Sequence, residues 1–179
     1  MNAENAEALP LGRSKQPAVF RPSRKFRAVL KNGEIRSTNV DLVFRELIRS
    51  KGARLDSSSI KQVIVSGQVP AEAVVTLANW LQSTQEEMLK LLGITQTTFS
   101  RRKQAGKLRA DEADRLYRYT RLYTLATKLF HGDADAARKW LNTPAYAFNG
   151  ETPLRHASTE HGAHEVETLI GRIEHGIPS

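Results

Sequence analysis

The chain has no cysteine, which excludes a disulfide framework and any thiolate metal site. No run approaches the roughly 18 apolar residues of a membrane span. The first residues lack the basic, apolar and small-residue pattern of a secretion signal. A soluble, cytoplasmic protein without a membrane partner is the expectation. Also missing are a glycine-rich phosphate loop after a clear strand, a nucleophile elbow and a paired-carboxylate motif. No catalytic residue and no cofactor is therefore expected, and the bet is against an enzyme. His161 and His164 stand near each other with Glu165 adjacent and His175 further on. A zinc site needs about three or four converging ligands, and this spacing fits none of the known helical metal motifs. Surface histidines at a loop–helix boundary, with no metal, are the expectation.

What the chain does have is positive charge, unevenly placed. Its 179 residues carry a formal +8, enough length for one sizeable core or two small helical units packed together. Residues 1–110 hold 19 Lys/Arg against 9 Asp/Glu, whereas residues 111–179 hold 8 against 10. A uniformly basic surface would favour polyanions everywhere. This split points instead to a DNA-facing front half and a back half with another task.

Residues 1–31 show little periodicity, are broken by Pro10, Pro17 and Pro22, and are rich in Arg and Lys. They read as a flexible basic arm, either lying along phosphates or simply a disordered leader. Residues 32–110 read as a helical DNA-binding part. Asn39 can cap a helix with Val40, Val43, Phe44, Leu47 and Ile48 on one face, ended by Gly52. Asp56 and the serines after it can start a short helix carrying Ile60, Val63 and Ile64, although the Val/Ile content of 63–65 leaves a strand open. Pro70 suits the start of the next helix, with Val74, Leu77, Ala78 and Leu81 inward.

The best-defined stretch is QEEMLKLLGITQTTFSRRKQAG, residues 85–106. Thr84 and Glu87 make a capping box before the buried face of Met88, Leu89, Leu91 and Leu92. Gly93 sits where the chain must turn sharply, Ile94 can plug the angle, and Thr95 can cap a second helix. Residues 84–105 thus have the pattern of a helix-turn-helix. Phe99 is the large apolar residue of the second helix and is expected inward. Gln96, Thr97, Ser100, Arg101 and Gln104 then lie on or near the outer face. Gln can pair with adenine and Arg can fork to guanine, while Thr and Ser can meet base edges or phosphates. Arg102, Lys103, Lys107 and Arg109 flank them without an intervening acid, as phosphate contacts require. The plainer reading is a helical hairpin with a solvated basic edge.

Residues 111–179 read as a helical dimerisation and partner-binding domain. A long helix carries Leu116, Tyr119, Leu122, Tyr123, Ala126, Leu129 and Phe130 and ends at Gly132. Tyr117, Tyr119 and Tyr123 are either monomer core or a dimer seam. Asp133 can cap a helix holding Ala136, Ala137, Trp140 and Leu141. The turn-rich segment 142–156 contains Tyr146, Phe148 and Leu154, aromatic and apolar residues that either pack the loop on its own core or offer a protein-binding edge. A last helix near 163–175 buries Val166, Leu169, Ile170 and Ile173. The end, from Gly176, is too short and open to be structural by itself.

From residue 91 onward the chain resembles the Xre/MbcA/ParS antitoxins of bacterial type II toxin–antitoxin systems. The similar pieces are LLGITQTTFSRRKQAGKL at 91–108, DEADRLYR at 111–118, DADAARKWLNTP at 133–144 and GETPLRHASTEHGAHEVETLIGRIEHGIPS at 150–179. Arg109-Ala110 departs from the Ser-Pro that such proteins often carry before the long helix. The resemblance implies an all-α chain in which a Cro/repressor-like helix-turn-helix part precedes a small helical toxin-binding domain. It implies a RES-domain toxin that degrades NAD⁺ as the cognate partner. It also implies operator DNA with inverted repeats and a homodimer within a larger toxin–antitoxin complex. The family's signature pieces fall here on Trp140, Leu141, Asn142, Pro144, Gly150, Pro153 and Leu154. They continue on Gly162, Glu165, Val166, Leu169, Gly171, Arg172, Ile173 and Gly176. The toxin contact it implies comprises Tyr146, Phe148, Leu154, Glu165, Leu169, Arg172, Ile173, Glu174, His175, Gly176, Ile177, Pro178 and Ser179, with Trp140 supporting from beneath. The alternatives are a stand-alone helix-turn-helix regulator and a protein-binding module without DNA binding.

Overall fold

A computed structural model describes residues 39–49 and 59–177. The basic arm, the Gly52 stop, the Asp56 start, Pro178 and Ser179 lie outside the described residues. Within them the chain is helical, and the sole extended pairing is an isolated bridge between Pro70 and Lys107. The helices are α1 (Val40–Arg49), α2 (Ile60–Val65), α3 (Ala73–Trp80), α4 (Gln85–Leu91), α5 (Gln96–Ala105), α6 (Ala110–Leu129), α7 (Ala134–Asn142), α8 (Pro153–His156) and α9 (Glu160–Glu174).

Most starts follow from short polar side chains that satisfy otherwise orphaned N–H groups. Asn39 accepts from the Asp41 N–H, Ser59 from Gln62, Asp133 from Asp135 and Ala136, and Thr152 from Arg155. Residues 63–65 are helix, not strand, because Ser59 caps one end and Gly67, at φ 67°, closes the other. Pro70 does not open α3. Its segment pairs with the one after α5, where the Leu108 N–H reaches the Val69 carbonyl at 2.9 Å, and α3 begins three residues later. The last helix starts at Glu160, earlier than expected, because Thr159 caps it through the Gly162 N–H at 3.0 Å.

The core is one cluster running from Phe44 to Ile170, and α6 is its axis. The threonines buried on α6 are satisfied locally. Thr120, Thr124 and Thr127 each donate a hydroxyl to the carbonyl one turn back, at 2.7–2.9 Å, the usual solution for a threonine inside a helix. Its tyrosines pack within the chain. Tyr119 is fully buried and donates to the Leu91 carbonyl at 3.2 Å. Tyr117 meets Phe44 edge-on and donates to Asp41, and Tyr123 lies against Trp80. Helix α7 in turn finishes α3: Arg138 and Asn142 donate to the carbonyls of Trp80 and Leu81, which α3 leaves open at its end.

Candidate functional site

Two surfaces carry the residues singled out above. The first is the α4–turn–α5 unit. In the capping box, Thr84 accepts from the Glu87 N–H at 3.1 Å and Glu87 accepts from the Thr84 N–H at 3.0 Å. That backbone bond, then the hydroxyls of Ser83 and Thr84, hold the Glu87 carboxyl below its ordinary range. The turn is a Schellman cap. Gly93, at φ 63°, donates to Lys90, and Ile94 donates to Leu89 at 2.9 Å, which lets the backbone reverse without a Cβ penalty. Ile94 is 6% exposed and plugs the angle as expected. Thr95 caps α5 by accepting from Thr98.

On α5 Phe99 is buried and is the one core residue of that helix. Gln96, Thr97, Ser100, Arg101 and Gln104 are exposed, as is Lys107 beyond it. Arg101 makes no ion pair among the described residues. Arg102, expected beside a phosphate, is paired within the chain. Its side chain is 16% exposed, and its Nε donates to both oxygens of Glu112, at 3.0 and 2.7 Å. Glu112, the third residue of α6, also accepts from the Arg109 N–H at 2.9 Å. The hydrogen bond to Glu112 raises the Arg102 pKa against the cost of desolvation. Nor are the neighbouring cations without acids, since folding supplies them: Lys103 meets Glu72 at 3.0 Å and Arg109 meets Asp111 at 3.5 Å. The sequence conceals the Arg102 and Lys103 pairs because an α5 cation and a carboxylate of α6 or of the segment before α3 are neighbours only once the chain has turned, whereas Arg109 and Asp111 are two positions apart.

The second surface is formed by the segment after α7, α8 and α9. Phe148, Leu154 and Leu169 are buried in the chain's own core, so they support this face from within and do not present themselves on it. Trp140 is likewise partly buried, against Phe130. Tyr146 is 98% exposed. Glu165, Arg172, Ile173, Glu174, His175, Gly176 and Ile177 are exposed, with Glu174 reaching Lys128 at 3.0 Å. Helix α9 is clamped to α6 by Arg118 and Arg121, which share Glu160, while Arg121 also holds Glu167 at 2.6 Å. None of these pairs was visible in the sequence, where the partners are about 40 residues apart.

His156, also unforeseen, ties α8 to α9. Its Nδ1 lies 3.1 Å from Glu151, its Nε2 lies 2.7 Å from Glu165, and its ring stacks on Phe148 at 4.3 Å. Burial pulls its pKa down, but the bonds to Glu165 and Glu151 outweigh this and the net shift is upward. Among the described residues no group of three His, Cys, Asp or Glu side chains could hold a metal, and no helix is long and apolar enough to cross a membrane.

The end of α9 is more ordered than a frayed tail. The Gly176 N–H donates to Ile173 and the Ile177 N–H to Arg172 at 2.9 Å, with Gly176 at φ 68°. This is the same Schellman geometry as at Gly93-Ile94, so Gly176 and Ile177 close the helix, while Pro178 and Ser179 lie outside the described residues. The two caps differ in the fate of their isoleucine. Ile94 is covered, whereas Ile177 is 53% exposed beside the half-exposed Ile173.

The chain matches two family models. Residues 64–121 match the antitoxin Xre-like helix-turn-helix domain, and residues 125–176 match the antitoxin Xre/MbcA/ParS C-terminal toxin-binding domain. It is 37% identical over 134 residues to an antitoxin Xre of Photorhabdus laumondii, covering 74% of this chain and 90% of that one. An antitoxin Xre of Yersinia enterocolitica is 35% identical over 99 residues, covering 55% of this chain and 67% of its own. One of Pseudomonas putida is 36% identical over 69 residues, covering 38% and 43%.

Proposed function

We propose, from the premise that the chain belongs to the Xre/MbcA/ParS antitoxin family, that it neutralises a cognate RES-domain toxin and represses its own operon. The observation that carries the toxin half is the end of α9. A Schellman cap fixes Ile177 in place yet leaves it uncovered, together with Ile173. Ordered, exposed isoleucines at a helix end are pre-organised apolar anchors for a partner, which lowers the entropy cost of docking. Exposed Arg172, Glu165 and His175 supply polar rim contacts, with Tyr146 as a further anchor and Pro178 and Ser179 continuing the tail. The chain performs no chemistry in this reading. It closes the toxin's cleft to NAD⁺.

The DNA half rests on α5, whose outward Gln96, Thr97, Ser100, Arg101 and Gln104 match the side chains that read base edges. Lys103 and Lys107 contact phosphates beside them. A homodimer presents two such helices to inverted repeats. Residues 1–31 add a basic arm.

Growth of cells expressing the adjacent gene product tests the toxin half. The wild-type chain is expected to restore growth. A chain carrying Ile173→Asp and Ile177→Asp is expected to stay folded and to fail. Full protection by that variant would remove the α9 end from the interface.

A further inference from the structure

We infer that Glu112 is a positioning residue for DNA recognition, acting through Arg102 to set the rotation of α5; this rests on the reading of α5 as the DNA-facing helix. Among the residues of α5 Phe99 alone enters the core. The Lys103–Glu72 pair at the side of the helix is about half exposed on both partners, so solvent screens it and it resists rolling of a short helix only weakly. Arg102 stands three residues after Phe99, so it projects from nearly the same side. Its guanidinium Nε bonds both oxygens of a carboxylate that is itself 5% exposed. Glu112 in turn is fixed by the Arg109 N–H and by its place in the first turn of α6, where the helix dipole favours an anion. The pair spans the corner between α5 and α6 and gives α5 a second anchor on the long central helix. Phe99 and Arg102 together determine which side chains face outward, and hence the register of Gln96, Thr97, Ser100 and Arg101.

The charge of Glu112 makes the inference testable by sign. It is buried and negative, so it offers DNA no attractive contact. If electrostatics alone mattered, neutralising it would tighten binding to any DNA. Loss of positioning would instead weaken binding only to the sequence that the outward residues read.

The test is titration of the full-length chain with a duplex from the region upstream of its own gene, and with an unrelated duplex of equal length. Glu112→Gln and the charge-conserving Arg102→Lys are each expected to lose about tenfold on the upstream duplex, with the double variant no worse than either single one. The unrelated duplex should be bound as before or slightly more tightly. Circular dichroism of Trp80 and Trp140 checks folding, and Arg102→Lys, the milder change, carries the test if Glu112→Gln does not fold. Binding of the upstream duplex by a folded variant as tightly as by wild type overturns the positioning role. A wild-type chain that treats both duplexes alike overturns the DNA reading itself, and the inference with it.

Discussion

At His156 both ring nitrogens face carboxylates, Glu151 from the loop before α8 and Glu165 from α9. A carboxylate only accepts, and a neutral imidazole has one N–H, so satisfying both contacts requires the imidazolium. His161 of α9 also lies 3.7 Å from Glu165, with His164 adjacent in the chain. The bond from His156, the largest influence, and then these charges hold its carboxyl below the usual range against desolvation. Because the His156 pKa is raised from 6.5, its contribution to stability is complete below that value and is lost as pH rises through the folded pKa. The lowered Glu165 contributes above 4.5 and is lost as pH falls through its folded value. Melting temperature should therefore drop on the alkaline side of pH 6.5, and His156→Gln should flatten that limb. An unchanged alkaline limb would show that His156 is not the charged bridge. Nothing in the sequence marks this residue. Its partners sit five and nine positions away across a turn and a helix start, spacings that no helical periodicity relates.

Helix ends account for most of what was legible among the elements. The α4–α5 unit was readable in detail because its determinants are local: a capping box within four residues, a glycine at the turn, one large apolar side chain in the second helix. The same locality misled at Pro70, whose fixed φ suits a helix start and a bridge equally. The early start of α9 was missed although its Thr159 cap is local, and this start brings α9 close to the end of α8. A Cβ on Gly162 would lie 2.0 Å from the His156 carbonyl oxygen, whereas one on Gly171 would meet nothing within 4 Å. Gly162→Ala should consequently destabilise the fold by about 3 kcal/mol through overpacking against backbone. Gly171→Ala should be neutral or stabilise it by up to about 1 kcal/mol. Thermal unfolding of the two variants checks this, and equal melting temperatures would contradict the close α8–α9 approach.

Across the whole molecule, the charge split pointed to two tasks but not to the physical link between the two halves. Helix α6 receives Arg102 of α5 near its start and clamps α9 through Arg118 and Arg121 further along. Its tyrosines, open in sequence to a dimer seam, are used inside the chain. Buried polar pairing of this kind leaves no periodic trace, whereas the apolar stripe of α6 did. The outer residues of α5 were picked out because exposure follows once the inward Phe99 is known, while those of α9 came from the family resemblance. Spacing placed Ile173 on the buried face of α9, but it stands in the last turn and is 39% exposed, whereas Leu169 is buried as that spacing required. Arg102 is held by Glu112, a partner that spacing within α5 does not reveal. What the assembled molecule presents is a polar, basic helix face at one place and an uncovered pair of isoleucines at another.

The toxin-restraining role is most directly tested by purifying the product of the adjacent gene and following its consumption of NAD⁺ while the chain is titrated in. Consumption should cease as the wild-type chain is added and continue when Ile173→Asp and Ile177→Asp are present together. NAD⁺ consumption that the wild-type chain leaves unchanged would contradict the proposal.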